Sequence, residues 1–139
     1  MTALGLVVAQ FYEELAAEIE AEARTLIEDR DAEVAETVHV PGVYDAPLAA
    51  DRLARQERID AVAVLGVVVT GDTDHDQVVT HAAARRLSDV GLGRDTPVTF
   101  GVAGPDMSAP EARDRIEKCA SAVDAAVDLT EALPARGQQ

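Results

Sequence analysis

Asp60-Ala-Val-Ala-Val-Leu-Gly-Val-Val-Val-Thr-Gly-Asp-Thr-Asp-His-Asp-Gln-Val-Val-Thr-His81 is the stretch from which the fold can be read. It begins with apolar and β-branched residues over 61–69, which are typical of a strand buried on both faces. Gly71 interrupts this run, and an acidic segment that opens a helix follows, with His75 in its first turn. A buried strand therefore leads directly into a loop and a helix start, and ligands bind at such junctions in open α/β sheets.

The same succession of strand and helix occurs along the rest of the chain. Apolar or alternating runs predict strands at 4–9, 33–40, 61–69 and 97–103. Apolar stripes at helical spacing predict helices at 13–28, about 47–56, about 73–90 and 108–133. We expect Gly91 and Gly93 to end the third helix and Ser108 to cap the fourth.

Four alternations of strand and helix predict the fold class. They are typical of an α/β protein with right-handed crossovers, in which helices cover both faces of a parallel sheet. We therefore expect a three-layer α-β-α sandwich with a four-stranded parallel sheet of the flavodoxin-like type. The predicted domain covers 1–133, and 134–139 is expected to be a loose tail.

The composition is acidic and poor in aromatic residues. Twenty-six Asp and Glu against 12 Lys and Arg give a formal net charge of −14, and Lys118 is the single lysine. This charge disfavours nucleic acids and anionic membranes as partners, because both would be repelled. It suits high salt, where screening weakens the self-repulsion, so we expect a halophilic source.

Neither the N-terminus nor the cysteine content indicates export. There is no basic region followed by a long apolar stretch, and no apolar run approaches membrane-spanning length. Cys119, the single cysteine, cannot form an intrachain disulfide, and we interpret it as a small buried hydrophobic residue. A cytoplasmic protein is therefore expected.

His75 is the candidate for proton transfer. An unperturbed imidazole titrates at about pH 6.5 and can accept and donate protons near neutrality. A surface histidine in an acidic segment is the alternative, and the residues alone favour it slightly. His81 falls on a different helix face, which disfavours a metal site formed by the two histidines.

An anion is a second candidate ligand at this helix start. The free backbone N–H groups of a first helical turn favour negative charge. However, Asp72 and Asp74 would repel a phosphate, and either could instead cap the helix. An anion there would need a nearby cation, and the candidates on the last predicted helix are Arg113, Arg115 and Lys118.

Other residues near the predicted strand ends allow two interpretations each. Phe11 could stack on a planar heterocycle or cover the core, and Asp45, beside Tyr44, could bind a polyol or cap a helix. Phe100 lies inside a predicted strand, where core packing is the default. The sequence has no glycine-lysine phosphate loop, GxGxxG, HExxH or CxxC motif, so neither a nucleotide cofactor nor a structural zinc is predicted.

Several segments together resemble a known family. Val40-Pro-Gly-Val-Tyr-Asp-Ala-Pro47, Gly71-Asp-Thr-Asp-His-Asp76 and Pro97-Val-Thr-Phe-Gly-Val102 are similar, in order, to motifs of 6,7-dimethyl-8-ribityllumazine synthase, particularly its archaeal form. Val7-Val-Ala-Gln-Phe-Tyr12 is similar to the family's opening strand and aromatic residue. The resemblance covers almost the whole chain and implies the lumazine synthase fold.

The resemblance also implies a reaction. In the penultimate step of riboflavin synthesis, 5-amino-6-(D-ribitylamino)uracil condenses with 3,4-dihydroxy-2-butanone 4-phosphate. An imine forms, phosphate leaves, and ring closure with loss of water gives the lumazine. The implied enzyme is a transferase that uses no metal or organic cofactor.

By position, the resemblance implies a role for each of the family's site residues. His75 would be the acid/base, Phe11 would stack on the pyrimidine, and Val43, Tyr44 and Asp45 would hold the ribityl chain. Val67, Val68 and Val69 would line the strand end, Asp72, Thr73 and Arg115 would bind phosphate, and Phe100 would come from a neighbouring subunit. Asp45 replaces what is often Glu, which shortens its reach, and Lys118 has no clear counterpart in the bacterial pattern.

Self-association and two alternatives complete the expectations. Family members form pentamers, and some pack into icosahedral shells, so pentamers, decamers or 60-mers are implied. One alternative is the archaeal-type riboflavin synthase, which shares the Val-Pro-Gly segment but consumes two lumazine molecules. The other is a flavin-binding or shell-forming protein without catalysis.

Overall fold

The computed structural model describes residues 1–71 and 74–134. The strands are β1 (Thr2–Ala9), β2 (Ala32–Val40), β3 (Ala61–Val67) and β4 (Val98–Ala103). The helices are α1 (Glu13–Glu28), α2 (Ala46–Ala54), α3 (His75–Arg94), α4 (Ala109–Arg113), α5 (Ile116–Ala120) and α6 (Ala122–Ala132), and a 3₁₀ turn at Val43–Asp45 precedes α2.

All four strands form one parallel sheet in the order β2-β1-β3-β4. The chain moves outward from β1 to β2 and then crosses back to β3, so β1 and β3 are neighbours at the point where the order reverses. In open α/β sheets the crevice at the carboxyl ends of such strands is the usual ligand site. The predicted α/β class and four-stranded parallel sheet are confirmed.

Both faces of the sheet are covered, and alternate strand residues enter two separate cores. One core lies beneath α1, α5 and α6 and includes Leu4, Leu6, Ile19, Leu65 and Val123. The other lies beneath α2 and α3 and includes Val7, Leu53, Ile59, Val62 and Val64. Every residue of β1 and β3 is buried, which explains why these strands read as continuous apolar runs.

The third strand ends two residues earlier than predicted. Its regular pairing stops at Val67, although the Val68 N–H still donates to the Ala103 carbonyl over 2.8 Å. Beyond Ala103 the backbone that follows β4 changes direction at Gly104, whose φ is +110°, and a Cβ there would clash with the Val68 carbonyl oxygen. Val68 and Val69 therefore lie half-buried at the strand end rather than inside the ladder.

The prediction that Gly91 and Gly93 end the third helix is wrong, because α3 continues through both of them to Arg94. It ends at Asp95, which adopts the left-handed conformation with φ 52°. Gly91 instead allows a close approach, since a Cβ there would lie 3.2 Å from the Thr96 carbonyl oxygen. Its missing side chain makes room for the chain that returns to β4.

The last predicted helix is divided into α4, α5 and α6. Its start is as predicted, because the Ser108 hydroxyl accepts from the Glu111 N–H and the Glu111 carboxylate accepts from the Ser108 N–H, each over 3.2 Å. Arg115, with φ −109° and ψ 8°, interrupts the helix after α4. The division between α5 and α6 is accompanied by a hydrogen bond from Thr99 Oγ1 to the Ala122 carbonyl over 2.7 Å. The break between α5 and α6 therefore coincides with a contact to β4, which the spacing of apolar residues could not indicate.

Two other expectations concern membranes and the tail. Within the described ranges, 1–71 and 74–134, none of the helices combines the length and apolarity needed to cross a membrane. Of the predicted tail, residues 135–139 lie outside the described residues.

Gly101 provides a test of the packing between β4 and the helices above it. A Cβ there would clash with the Cys119 carbonyl oxygen and lie 2.8 Å from the Ala122 Cβ. We expect Gly101→Ala to lower the free energy of unfolding by about 1–3 kcal/mol, because the backbone must shift. Gly93→Ala is the matched control: nothing lies within 4 Å of a Cβ there. It should raise stability by about 0.4–1 kcal/mol. Urea unfolding measures both, and a Gly101→Ala protein as stable as the parent would contradict the packing.

Candidate functional site

The parallel sheet brings the loops that follow all four strands to its carboxyl edge. The loop after β1 carries Phe11, which is 74% exposed and packs edge-on against Tyr12 with the ring centroids 5.0 Å apart. The N–H of Gln10 donates to the Val40 carbonyl over 2.9 Å, which joins this loop to the end of β2. A large aromatic face is therefore held in solvent beside the switch point of the sheet.

The 3₁₀ turn after β2 presents one aromatic and one acidic side chain at the same edge. Val43 is only 3% exposed and packs into the core, whereas Tyr44 is 67% exposed. A Cβ at Gly66 would lie 3.2 Å from Val43 Cγ2, so the small residue in β3 makes room for this turn. One carboxylate oxygen of Asp45 accepts from the Gly42 N–H over 3.1 Å, which leaves the other oxygen for a ligand.

The end of β3 and the start of α3 form the third part of this edge. Val67 is 4% exposed, and Val68 and Val69 are half-buried, so these valines offer an apolar wall. His75 is the first residue of α3, and its side chain is exposed. Asp74 occupies the N-cap position of α3, but its side chain makes no capping hydrogen bond.

Asp72 and Thr73, which the resemblance assigns to phosphate binding, lie outside the described residues.

Asp76 is a functional candidate that the sequence reasoning missed. It is 4% exposed, and its carboxylate accepts from the Asp106 N–H over 3.1 Å and from the Thr70 hydroxyl over 3.2 Å. The bond from the Asp106 N–H has the largest effect, and together these bonds hold the pKa of Asp76 below its usual range. Desolvation acts in the opposite direction. Its position in the first turn of a helix was the available signal, but the partner at 106 is distant in sequence.

A second group of predicted residues lies along the free edge of β4. Phe100, Arg115 and Lys118 line one cavity of about 430 Å³ between this edge and α5. Phe100 is 37% exposed, so it is not the fully packed core residue that its strand position favours. Neither Phe11 nor His75 lines this cavity. The structure therefore divides the predicted site residues into one group at the carboxyl edge of the sheet and another beside β4.

The charges in this cavity are notable because the chain is so acidic. Among residues 1–71 and 74–134, neither Arg115 nor Lys118 forms an ion pair with a carboxylate. Arg113, the third candidate cation, pairs instead with Glu18 over 3.0 Å. Arg115 and Lys118 are therefore the cations that remain for an anionic ligand on this helix segment.

Cys119 lines the same cavity, but its chemistry does not point to a nucleophile. It is 5% exposed, as expected for a small buried hydrophobic residue, and burial raises the pKa of its thiol. Within the described part of the chain, no group of three or more His, Cys, Asp or Glu side chains is arranged to hold a metal ion.

A larger cavity lies at the amino ends of the strands, opposite the carboxyl edge. Its volume is about 570 Å³, and it is lined by residues before β3 and β4 and at the ends of α3 and α6. It contains none of the predicted site residues and lies at the amino edge, where α/β sheets rarely bind ligands. Size alone therefore does not identify the site.

Residues 2–133 match the family described as 6,7-dimethyl-8-ribityllumazine synthase. The chain belongs to this family. A lumazine synthase of Halobacterium salinarum is 62% identical over 133 residues, which cover 96% of this chain and 100% of that protein. One from Halorubrum lacusprofundi is 56% identical, covering 96% and 99%. One from Methanocaldococcus jannaschii is 39% identical, covering 97% and 96%.

The family match confirms the resemblance derived from the motifs. It spans the three quoted segments and the first strand, so both groups of predicted residues belong to one lumazine synthase chain. The roles of the individual residues stay predictions.

The buried carboxylate of Asp76 predicts a pH dependence of stability. Because its pKa in the folded protein lies below the unfolded value of about 3.9, its contribution is present above that pH and is lost as the pH falls through the folded pKa. We expect the stability difference between the parent and Asp76→Asn to shrink below roughly pH 4. Urea unfolding from pH 6 downward at constant salt measures it, and a difference independent of pH would contradict the ionised state.

Proposed function

We propose that the chain catalyses the formation of 6,7-dimethyl-8-ribityllumazine. The substrates are 5-amino-6-(D-ribitylamino)uracil and 3,4-dihydroxy-2-butanone 4-phosphate, and phosphate and water are released. The observation that carries this proposal is the match to proteins of that name over nearly the full length of both chains. This reaction is one step of riboflavin biosynthesis.

The carboxyl edge of the sheet offers suitable contacts for the pyrimidine substrate. The exposed ring of Phe11 would stack on the planar heterocycle, and such aromatic contacts are worth about 0.5–1.5 kcal/mol beyond burial. Tyr44 and the free oxygen of Asp45 would contact the ribityl hydroxyls. The valines at 67–69 would exclude water from the apolar side of the ring, with Val43 supporting the turn from beneath.

His75 would move the protons of the reaction. Imine formation and the loss of water both require proton transfer to or from reacting oxygen and nitrogen atoms, and imidazole can do both near neutral pH. A positioned acid/base contributes about 10²–10⁴-fold to such a step. Holding two substrates side by side supplies much of the remaining rate enhancement.

Arg115 would bind the phosphate of the second substrate, together with the loop at Asp72 and Thr73. A guanidinium matches the geometry of phosphate oxygens, and Arg115 has no carboxylate partner among the described residues. Lys118 lies in the same cavity and would add charge. These two cations would also offset the repulsion from Asp74 at the start of α3.

Self-association would complete the site. Arg115 and Phe100 lie along the free edge of β4, whereas Phe11 and His75 lie at the carboxyl edge. A neighbouring copy that presents its β4 edge to the carboxyl edge would bring the two groups together. This head-to-tail contact would close into a ring, and we propose a pentamer that can pair or assemble into a shell of 60 subunits.

The first prediction from this proposal concerns kinetics. The purified protein should form lumazine and release phosphate, followed by absorbance and a phosphate assay at low and molar salt. We expect His75→Ala to lower kcat by about 10²–10⁴-fold with little change in KM. Arg115→Ala should mainly raise KM for the butanone phosphate, and Arg113→Ala, whose partner is Glu18, is its matched control. Absence of product at every salt concentration would refute the proposed function.

The second prediction concerns the shared site. His75→Ala and Arg115→Ala chains, unfolded and refolded together, should regain activity at low butanone phosphate, because about one quarter of head-to-tail contacts would join two intact halves. Refolding His75→Ala with the double variant should recover none. Mixed oligomers that stay inactive would place the whole site within one chain.

The third prediction concerns salt and location. The net charge of −14 supports a halophilic protein, in which concentrated salt screens the repulsion between carboxylates. We also propose that the protein is cytoplasmic. We expect the oligomer to dissociate or unfold as NaCl is lowered from molar to dilute buffer, measured by light scattering and circular dichroism. Full stability in dilute buffer would contradict the halophilic assignment, and recovery of the protein in a membrane fraction would contradict the cytoplasmic one.

A further inference from the structure

Asp76 has surroundings that the roles assigned above do not explain. It is the only buried carboxylate among residues 1–71 and 74–134, in a chain with 26 acidic residues. Burying a charge is costly unless hydrogen bonds replace the lost water. At Asp76, the loops after β3 and β4 supply those hydrogen bonds.

Four residues form a network that we term the loop clamp: Thr70, Asp76, Asp106 and Met107. The Asp76 carboxylate accepts from the Asp106 N–H over 3.1 Å and from the Thr70 hydroxyl over 3.2 Å. The Met107 N–H donates to the Thr70 hydroxyl over 3.0 Å, and the Thr70 N–H donates to the Met107 carbonyl over 2.9 Å. The loop after β3 is thereby joined to the loop after β4.

The hydrogen-bond directions in the loop clamp are those expected for an ionised acid. A carboxylate only accepts, so the Thr70 hydroxyl must donate to it and turn a lone pair towards the Met107 N–H. Asp106, with φ 60°, holds its own N–H towards the same carboxylate. The Asp106 and Thr70 bonds both reach one oxygen, Oδ2, and the backbone N–H groups of Gln77 and of Asp76 itself also stabilise the carboxylate. An amide keeps only one acceptor oxygen and would turn its NH₂ group towards one of these sets of donors.

We propose that Asp76 is a positioning residue that holds His75 in its working orientation. The two residues are adjacent in the first turn of α3, and the loop clamp fixes that turn against the Gly104–Ser108 loop. Without it, the first turn of α3 and the imidazole that it carries would shift relative to the reacting atoms. This inference rests on the proposed function of His75.

Steady-state kinetics tests the proposal. Asp76→Asn should lower kcat by about 10–100-fold, because misplacement by about 1 Å costs a reaction that much. The KM of each substrate should change by less than about threefold, unlike the KM effect of Arg115→Ala. An unchanged kcat in a folded oligomer overturns the proposal.

Asp51→Asn is the matched control for simple destabilisation of α3. Asp51 pairs with Arg55 over 2.7 Å and with Arg94, at the far end of α3, over 2.8 Å. Its replacement should lower the melting temperature while kcat, measured well below that temperature, stays at the parent value. If both variants lose kcat in proportion to their stability, Asp76 has only a structural role and the proposal is wrong.

Thr70 supplies a second route if Asp76→Asn folds poorly. Thr70→Val removes the hydroxyl at nearly constant volume and should reproduce part of the loss of kcat, whereas Thr70→Ser keeps the hydroxyl and should restore it. In the double variant with Asp76→Asn, the loss should be less than the product of the single losses, since both act through one network. Strictly multiplicative losses would contradict a shared network.

Nuclear magnetic resonance of histidine labelled with ¹³C at Cε1 separates this proposal from the proposed function. The His75 signal, assigned by its absence in His75→Ala, should shift or divide in Asp76→Asn and remain unchanged in Asp51→Asn. If the parent makes no lumazine but the signal responds in this way, the proposed function fails and the positioning role stands. If the parent is active and the His75 signal does not respond, the positioning role fails.

Discussion

Parallel pairing of β1 with β3 is the constraint on which the rest of the structure depends. Because these strands run in the same direction and are buried on both faces, their connections must cross over the sheet as helices. The same direction brings their carboxyl ends, and the loops with Phe11 and His75, to one edge. Site geometry is therefore a consequence of strand direction, and the loops only supply the chemistry.

Small residues make the close approach of the layers feasible. The chain has no Trp and few other aromatic residues, so its two cores are built mainly from Ala, Val and Leu. Gly66 and Gly101 lie where a turn or a helix approaches the sheet, and a Cβ at either would press on a neighbour. A core of small side chains has little freedom to absorb such changes, since protein interiors are already close-packed.

The positive charges at the proposed site contrast with the net negative charge of the protein. The chain carries a net charge of −14, and the substrate assigned to it is itself an anion. Asp76 is stabilised by hydrogen-bond donors of the chain, and Arg113 is paired with Glu18. Arg115 and Lys118 remain without carboxylate partners among the described residues, so two positive charges beside the β4 edge are available to an anion.

The sequence by itself determined the α/β class, the parallel sheet, most element bounds and the family, because these follow from local periodicity and from contiguous motifs. It identified His75 and Arg115 as candidates, since residue type and motif position are local properties. Only the tertiary structure decided where β3 ends, why Gly91 lies inside a helix and where the last helix is divided, because each depends on contact with a distant segment. The loop clamp also needed the fold: the Asp76 carboxylate bonds to the N–H of Asp106, thirty residues further along the chain, and no local pattern encodes such a pairing.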